Sequence, residues 1–484
     1  MRVPNRRRGA NLYGMAYDYD VAVIGLGPAG MAVSVMASEM GLKVIAVEAK
    51  RIGGECMNVG CIPSKALLRA GKVRHMLGKL EDYGLRPAGP SEVADTFPRV
   101  RQHLKYISEK KTMSMFDKVE LLLGKGSASF VDSHTLQVGE RRFTAKRIFI
   151  CVGTRPALPD IEGMDAVGAL TNENLFDLDR PPQSLLVIGS GAIACEMAQA
   201  FSRLGSSVTM VMRGEGLLWR EDEEACRLVA AAFAKEGVKV LTGRRMTQIE
   251  RRDGKVVLHT AEDGRIVADE VLSATGRRMD FDALNLTAAG VKVAEKGIKV
   301  NRLLQTSRRN IYAVGDCNGY AQLSHAAMHQ GMIALMNAVM PVGARMDFRK
   351  YVVPWTVFTE PQLSHVGPRE SELKARKVKY ESIVVRHEDY GAAIAENLGK
   401  GFVKVLVSPA GRIYSATIVG EGSGEMINEW GLAIQQRIRM HRVMMLQHSF
   451  PTMSFLCKRA AETWMMNRMK SPFMRKMARL FYRL

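Results

Sequence analysis

Apolar positions along the chain fall into a pattern that occurs twice. The first copy opens on the apolar run Val21-Ala22-Val23-Ile24 and a glycine turn, Gly25-x-Gly27-x-x-Gly30. An Ala/Met-rich stretch follows, then a second apolar run from Leu42 to Val47, closed by Glu48. Short continuous apolar runs bounded by glycine turns predict strands buried on both faces of a parallel sheet, and the stretch between them predicts the crossover helix. The same order returns as Leu185–Ile188, Gly189-Ser190-Gly191-Ala192-Ile193-Ala194, a helical stretch to Leu204, and the run Val208–Val211. Beyond Tyr351 the pattern changes: Gly401–Val407 and Arg412–Val419 read as alternating strands, and a helix is predicted from Gly424.

Each glycine turn sits between a strand and a helix. That is where glycines allow a tight turn and let the backbone approach a pyrophosphate, and Glu48 stands where a carboxylate would accept from ribose hydroxyls. Two such Rossmann-type units predict two bound dinucleotides. In the second unit the place of Glu48 is taken by Met212-Arg213, with Arg220 following. A carboxylate repels an adenosine 2′-phosphate, whereas arginines bind it with charge-assisted bonds, so this site is expected to prefer NADPH to NADH. The alternative is that Arg213 and Arg220 are merely solvated loop charges. The predicted fold class is α/β, with two Rossmann-type dinucleotide-binding domains and an α+β C-terminal domain.

The segment Gly53-Gly54-Glu55-Cys56-Met57-Asn58-Val59-Gly60-Cys61-Ile62-Pro63-Ser64-Lys65 carries the candidate chemistry. Two thiols this close can form a small redox disulfide. Pro63 predicts a helix start, which puts the Cys61 sulfur near unpaired amides that stabilise a thiolate. A surface disulfide or a pair of inert buried cysteines is the alternative. The whole string resembles the active-site signature of the class I pyridine nucleotide-disulfide oxidoreductases, the family of dihydrolipoamide dehydrogenase, glutathione reductase and mercuric reductase. The resemblance implies an FAD-dependent NAD(P)H:disulfide-type enzyme in which Cys61 faces the flavin, Cys56 is the interchange sulfur, and Lys65 approaches flavin N5 beside Glu196. Ala194 resembles the glutathione reductase version of the second motif. Thr306–Asp316 resembles the second FAD motif, with Asp316 on the ribityl chain. Ile150–Thr154 and Ala274–Gly276 resemble the crossings between the FAD and NADPH lobes. Gly54 and Gly153 join Gly25, Gly27, Gly30 and Glu48 as FAD-binding candidates, and Gly276 joins Gly189 and Gly191 at NADPH. Phe358-Thr359-Glu360-Pro361 and Gly420-x-Gly422-x-Gly424-Glu425 resemble the interface domain, implying a homodimer. The expected domains are a basic extension (1–17), an FAD domain (18–155 and 286–345), an NAD(P)H domain (156–285), an interface domain (346–470) and a basic amphipathic tail (471–484).

The resemblance breaks near the C-terminus. Disulfide-reducing members read His-Pro-Thr-x-x-Glu there, the histidine serving the interchange thiol as acid and base. This chain reads Phe450-Pro451-Thr452-Met453-Ser454-Phe455. A positioned base contributes on the order of 10²–10⁴ in rate, so efficient reduction of dihydrolipoamide-like disulfides is not expected unless His448 substitutes. Mercuric reductases end in a cysteine pair, where this sequence ends Phe481-Tyr482-Arg483-Leu484. Cys457 is expected to be a buried helix residue, and no metal site is predicted. The acceptor is therefore expected to be a small sulfur compound or disulfide. The alternatives are a quinone or other membrane-associated acceptor, mercuric ion, or a redox-sensing membrane flavoprotein that is not an enzyme.

Composition changes this picture little, but charge adds to it. The chain has 484 residues, 47% hydrophobic and 24% charged, with seven cysteines and a formal charge of +20. Scattered cysteines fit a reducing, cytoplasmic compartment. No nucleic-acid motif is present, and no apolar run reaches the length of about 18 residues that a spanning helix needs. The charge is enriched at the ends. Arg2, Arg6, Arg7 and Arg8 precede Met15, a candidate start, while residues 458–484 hold eight Lys/Arg against Glu462. There Trp464, Met465, Met469, Phe473, Met474, Met477, Leu480 and Phe481 interleave with the cations. This pattern suits a peripheral contact with an anionic membrane on its inner face, or a helix packed on its own dimer.

Overall fold

The run predicted around Val21 is the strand Tyr19–Ile24 of a computed structural model that describes residues 17–87, 89 and 91–482. The basic arm and Met15 lie outside the described residues. The chain divides into two units. One comprises the described residues of Met1–Asn58, Leu104–Arg155 and Arg278–Phe348, and the other those of Val59–His103, Pro156–Arg277 and Arg349–Leu484.

In the first unit, Tyr19–Ile24 pairs in parallel with Val44–Glu48 on one side and Arg141–Ile150 on the other, Val21 lying opposite Val44 and Arg147. Glu120–Leu123 and Ile311–Ala313 extend the two edges, also in parallel. Side chains from Val21 to Ile24 are buried on both faces, which is why the run has no polar alternation. The crossover helix Pro28–Glu39 starts on proline, whose fixed φ suits the first turn. A second helix, Ser324–Val339, packs across it so closely that a Cβ on Gly331 would sit 2.7 Å from the Ala29 carbonyl oxygen.

The second unit repeats the motif. Its parallel sheet runs Lys239–Leu241, Ser207–Val211, Ser184–Ile188, Glu270–Ser273, with Ala192–Arg203 as the crossover helix. A three-stranded antiparallel sheet, Met246–Arg252, Lys255–Thr260 and Gly264–Ala268, completes that region. Residues beyond Arg349 form a five-stranded antiparallel sheet in the order Trp355–Val357, Leu363–Val366, Ile413–Val419, Phe402–Val407, Glu381–Arg386. Helix Ser423–Gln435 buries Met426, Ile427, Trp430 and Ala433, one face at helical spacing.

Helix Phe455–Met469 closes the same core with Cys457, Ala460, Ala461 and Trp464. This corrects one expectation. Trp464 is only 6% exposed and packs where Gly411 has no side chain, so it serves the core and not a lipid surface. Cys457 is fully buried, as expected, and burial pushes its thiol well above the ordinary range.

Candidate active site

In the first unit the glycine turn is tightly closed. A Cβ on Gly30 would lie 1.8 Å from the Gly25 carbonyl oxygen, which excludes any other residue there. Gly27, the residue before Pro28–Glu39, faces open space, and Gly54 approaches so near that its Cβ would lie 2.8 Å from the Gly27 Cα. Glu48 is held at the strand end: one carboxylate oxygen accepts the Leu26 amide at 2.8 Å and the other the Lys50 amide at 2.8 Å. Gly153 is left-handed and uncrowded, and Thr154 donates to the Asp316 carboxylate at 3.4 Å. Gln330 fixes the Asp316 turn by accepting from the Gly315 amide at 3.0 Å and the Asn318 side chain at 2.7 Å. Open backbone at a helix N-terminus, with a carboxylate at the end of the next strand, fits the diphosphate and ribose of FAD.

The second unit builds its own cradle. Gly191 precedes helix Ala192–Arg203 and faces open space, while a Cβ on Gly189 would lie 2.4 Å from the Ala274 carbonyl oxygen. Ala194 is fully buried, so the third position of this motif accommodates a methyl group. Gly276 is uncrowded. Arg213 is exposed and donates only to the Asp160 carbonyl at 3.4 Å, and the Arg220 guanidinium lies 4.9 Å from the Trp219 ring. Neither is paired with a carboxylate among the described residues.

The cysteine segment spans two helices. Cys56 lies in the short helix Gly54–Asn58, which the Asn58 side chain braces by donating to the Gly54 and Ile52 carbonyls. Cys61 itself opens the 17-residue helix Cys61–Leu77. The helix therefore starts two residues before the expected Pro63. Proline is tolerated inside the first turn because amides there have no intrahelical partner. Both cysteines are half-buried.

Within the second unit, this helix carries Lys65 to Glu196 on Ala192–Arg203. The Lys65 ammonium is 2.7 Å from one carboxylate oxygen, and the other accepts the Phe358 amide at 3.0 Å. The Phe358 ring covers the ammonium, 4.5 Å from ring centre to Nζ. Glu196 is 4% exposed, so the pair is held in fixed geometry. Sequence reasoning paired Lys65 with Glu196 but gave Phe358 only an interface role.

A partly buried charge network centred on Arg203 supports the same segment. Arg203 bridges Glu236, at 2.7 Å, and Glu360, and Lys72 reaches Glu360 at 2.5 Å and Glu421 at 2.9 Å. Burial alone would raise the Glu360 carboxyl; Arg203 and Lys72 overcome it and hold the group below its ordinary value of 4.5. A depressed carboxyl contributes stability above its unfolded value and loses it as pH falls through the folded one. Arg203→Met should cost about 1–3 kcal/mol at neutral pH in denaturant titrations, because Glu236 loses its guanidinium partner and Glu360 keeps only Lys72. It should also flatten the loss of stability below pH 4.5. An unchanged acid limb would show that Glu360 is not what titrates there.

Near the C-terminus, the His448 Nε2 lies 3.0 and 3.2 Å from the two Glu429 oxygens, and its Nδ1 is 3.4 Å from the Leu446 carbonyl oxygen. Phe455 stacks on Tyr390, ring centres 6.0 Å apart, and meets Phe450 edge-on at 5.4 Å. Phe450 is 71% exposed. The segment is thus an aromatic cluster, with the imidazole turned onto Glu429.

Glycine cradles for two dinucleotides, a cysteine pair and a lysine–glutamate pair define a flavin- and pyridine-nucleotide-dependent oxidoreductase. Residues 19–331 match the family model of pyridine nucleotide-disulphide oxidoreductases and residues 353–461 the family's dimerisation domain, so the chain belongs to this family. It is 36% identical to a dihydrolipoyl dehydrogenase of Thermus scotoductus, over 92% of this chain and 97% of that protein. It is 33% identical to a mercuric reductase of Staphylococcus aureus, over 86% of this chain and 77% of that one. In fold it is similar to the HOCl-induced flavoprotein disulfide reductase RclA from Escherichia coli, with a TM-score of 0.82, 24% identity, and 92% and 99% of the two chains covered. Like these relatives it is an FAD- and NAD(P)H-dependent oxidoreductase of the disulfide type. Among the described residues, no helix is long and apolar enough to cross a membrane.

Proposed function

We propose that the chain is a homodimeric, NADPH-oxidising flavoprotein of the disulfide-reductase type that reduces a small sulfur or disulfide acceptor through Cys56 and Cys61, in a reducing compartment. FAD, which Gly27, Gly30 and Glu48 would hold, would supply the redox chemistry between the nicotinamide and the cysteine disulfide. The observation that carries this reading is the Lys65–Glu196 pair, held at 2.7 Å on the helix that Cys61 opens. Lys65 keeps a fixed positive charge where electrons arrive, and Glu196 holds it there.

With the disulfide opened, Cys56 attacks the acceptor's S–S bond, forms a mixed disulfide and expels one thiolate. Cys61 then displaces the second, and the Cys56–Cys61 bond re-forms. Two electrons have moved, and each expelled thiolate takes a proton. With phenylalanine at 450 and 455, that proton comes from water. Acceptors whose leaving thiols are acidic, such as persulfides and activated disulfides, are therefore favoured.

A second reading is favoured by the 71% exposure of Phe450: the acceptor is one that needs no base, either a quinone or mercuric ion, the substrate named for several relatives. An NADPH-oxidation screen across disulfides, persulfides, quinones and mercuric ion separates the two. Turnover with persulfides or activated disulfides alone supports the first reading, and turnover with quinone or mercuric ion alone the second. Phe450→His combined with Phe455→Glu should raise reduction of dihydrolipoamide-type disulfides at least about tenfold, a modest part of what a positioned base supplies. If the unaltered protein already reduces them at rates of about 10–10³ per second, the missing base does not limit it.

A further inference from the structure

The last described helix, Pro472–Tyr482, belongs neither to the core nor to the active site described above. The Ser471 hydroxyl accepts the Met474 amide at 3.3 Å and proline occupies the first turn, so the helix has its own start signal, separate from Phe455–Met469. None of its residues is buried. Phe473 is 70%, Leu480 55% and Phe481 64% exposed, and Met474 is exposed too. At 3.6 residues per turn, Phe473, Met474, Met477, Leu480 and Phe481 fall within an arc of about 120°. Arg475, Lys476 and Arg479 occupy the opposite face, and no acid follows Glu462. The family's dimerisation domain matches only to residue 461, so the helix lies outside it.

Two occupants suit an exposed apolar stripe: a second copy of this chain, or lipid. Arg475, Lys476 and Arg479 form no ion pair with a carboxylate among the described residues, and an anionic bilayer surface satisfies both faces at once, taking the apolar stripe among the acyl chains and the cations at the headgroups. We infer that Pro472–Tyr482 is an interfacial helix that lays the protein on an anionic lipid surface. One short helix of this kind gives reversible binding, and the contact does not depend on which acceptor the enzyme uses.

Cosedimentation of the FAD-loaded full chain with phosphatidylserine-rich and with pure phosphatidylcholine vesicles tests this. Binding to the anionic vesicles should be stronger by roughly a hundredfold, about a factor of five for each of the three cations, and should weaken as salt rises. Truncation after Lys470 should abolish the binding, as should Phe473→Asp with Phe481→Asp. Both variants should keep the dimer and NADPH oxidation with a soluble acceptor, because no core residue is removed. Equal sedimentation of full-length and truncated chains would overturn the inference. So would truncation that dissociates the dimer in solution, which would assign the stripe to the second copy.

Discussion

Replacing either cysteine of the pair should lower turnover with a sulfur acceptor by about 10³ or more, the scale on which loss of a reacting nucleophile is felt. The two replacements should differ in colour. Under the assigned roles, Cys56→Ser leaves Cys61 with no sulfur to pair with, at the first position of a 17-residue helix whose positive end faces it. Its thiolate should then give a long-wavelength charge-transfer band with the bound flavin, without added reductant. Cys61→Ser should show no such band under any reductant. Absorbance spectra of the two purified variants check this, and a band in Cys61→Ser with none in Cys56→Ser would exchange the two roles.

NADPH should be preferred over NADH by one to three decades in kcat/KM. Each charge-assisted bond from an arginine to the 2′-phosphate is worth about 1.5–3 kcal/mol, and both Arg213 and Arg220 are available for one. Arg213→Glu should erase most of the preference by raising KM for NADPH, while kcat, set at the other end of the nucleotide, changes little. Steady-state kinetics with both nucleotides decide the matter, and equal efficiency in the unaltered protein would reduce the two arginines to solvated charges.

Much of this site was legible because its signals are short-range. The runs around Val21 and Leu185, the turns at Gly25 and Gly189, and the cysteine segment each lie within a few dozen residues. Backbone geometry alone ties such spacing to strand, turn and helix. Lys65–Glu196 was legible only through resemblance, since nothing local links the two residues. The Phe358 ring over Lys65, and the chain from Glu236 through Arg203 and Glu360 to Lys72 and Glu421, had no signal at all. Each of their charges, taken alone, reads as a solvated surface group.

The sequence by itself determined the repeated strand–turn–helix units, the cysteine pair, the arginines in place of a second Glu48, and the two phenylalanines where a base was expected. All of these are statements about residue identity and near-neighbour spacing. Tertiary structure decided which residues share a buried volume. It put Trp464 in the core over Gly411, turned His448 onto Glu429, and left Pro472–Tyr482 outside with its apolar face uncovered. An amphipathic pattern specifies that a face will be buried, but only packing determines against what. Trp464 and Phe473, both in the basic C-terminal segment, therefore came to opposite ends.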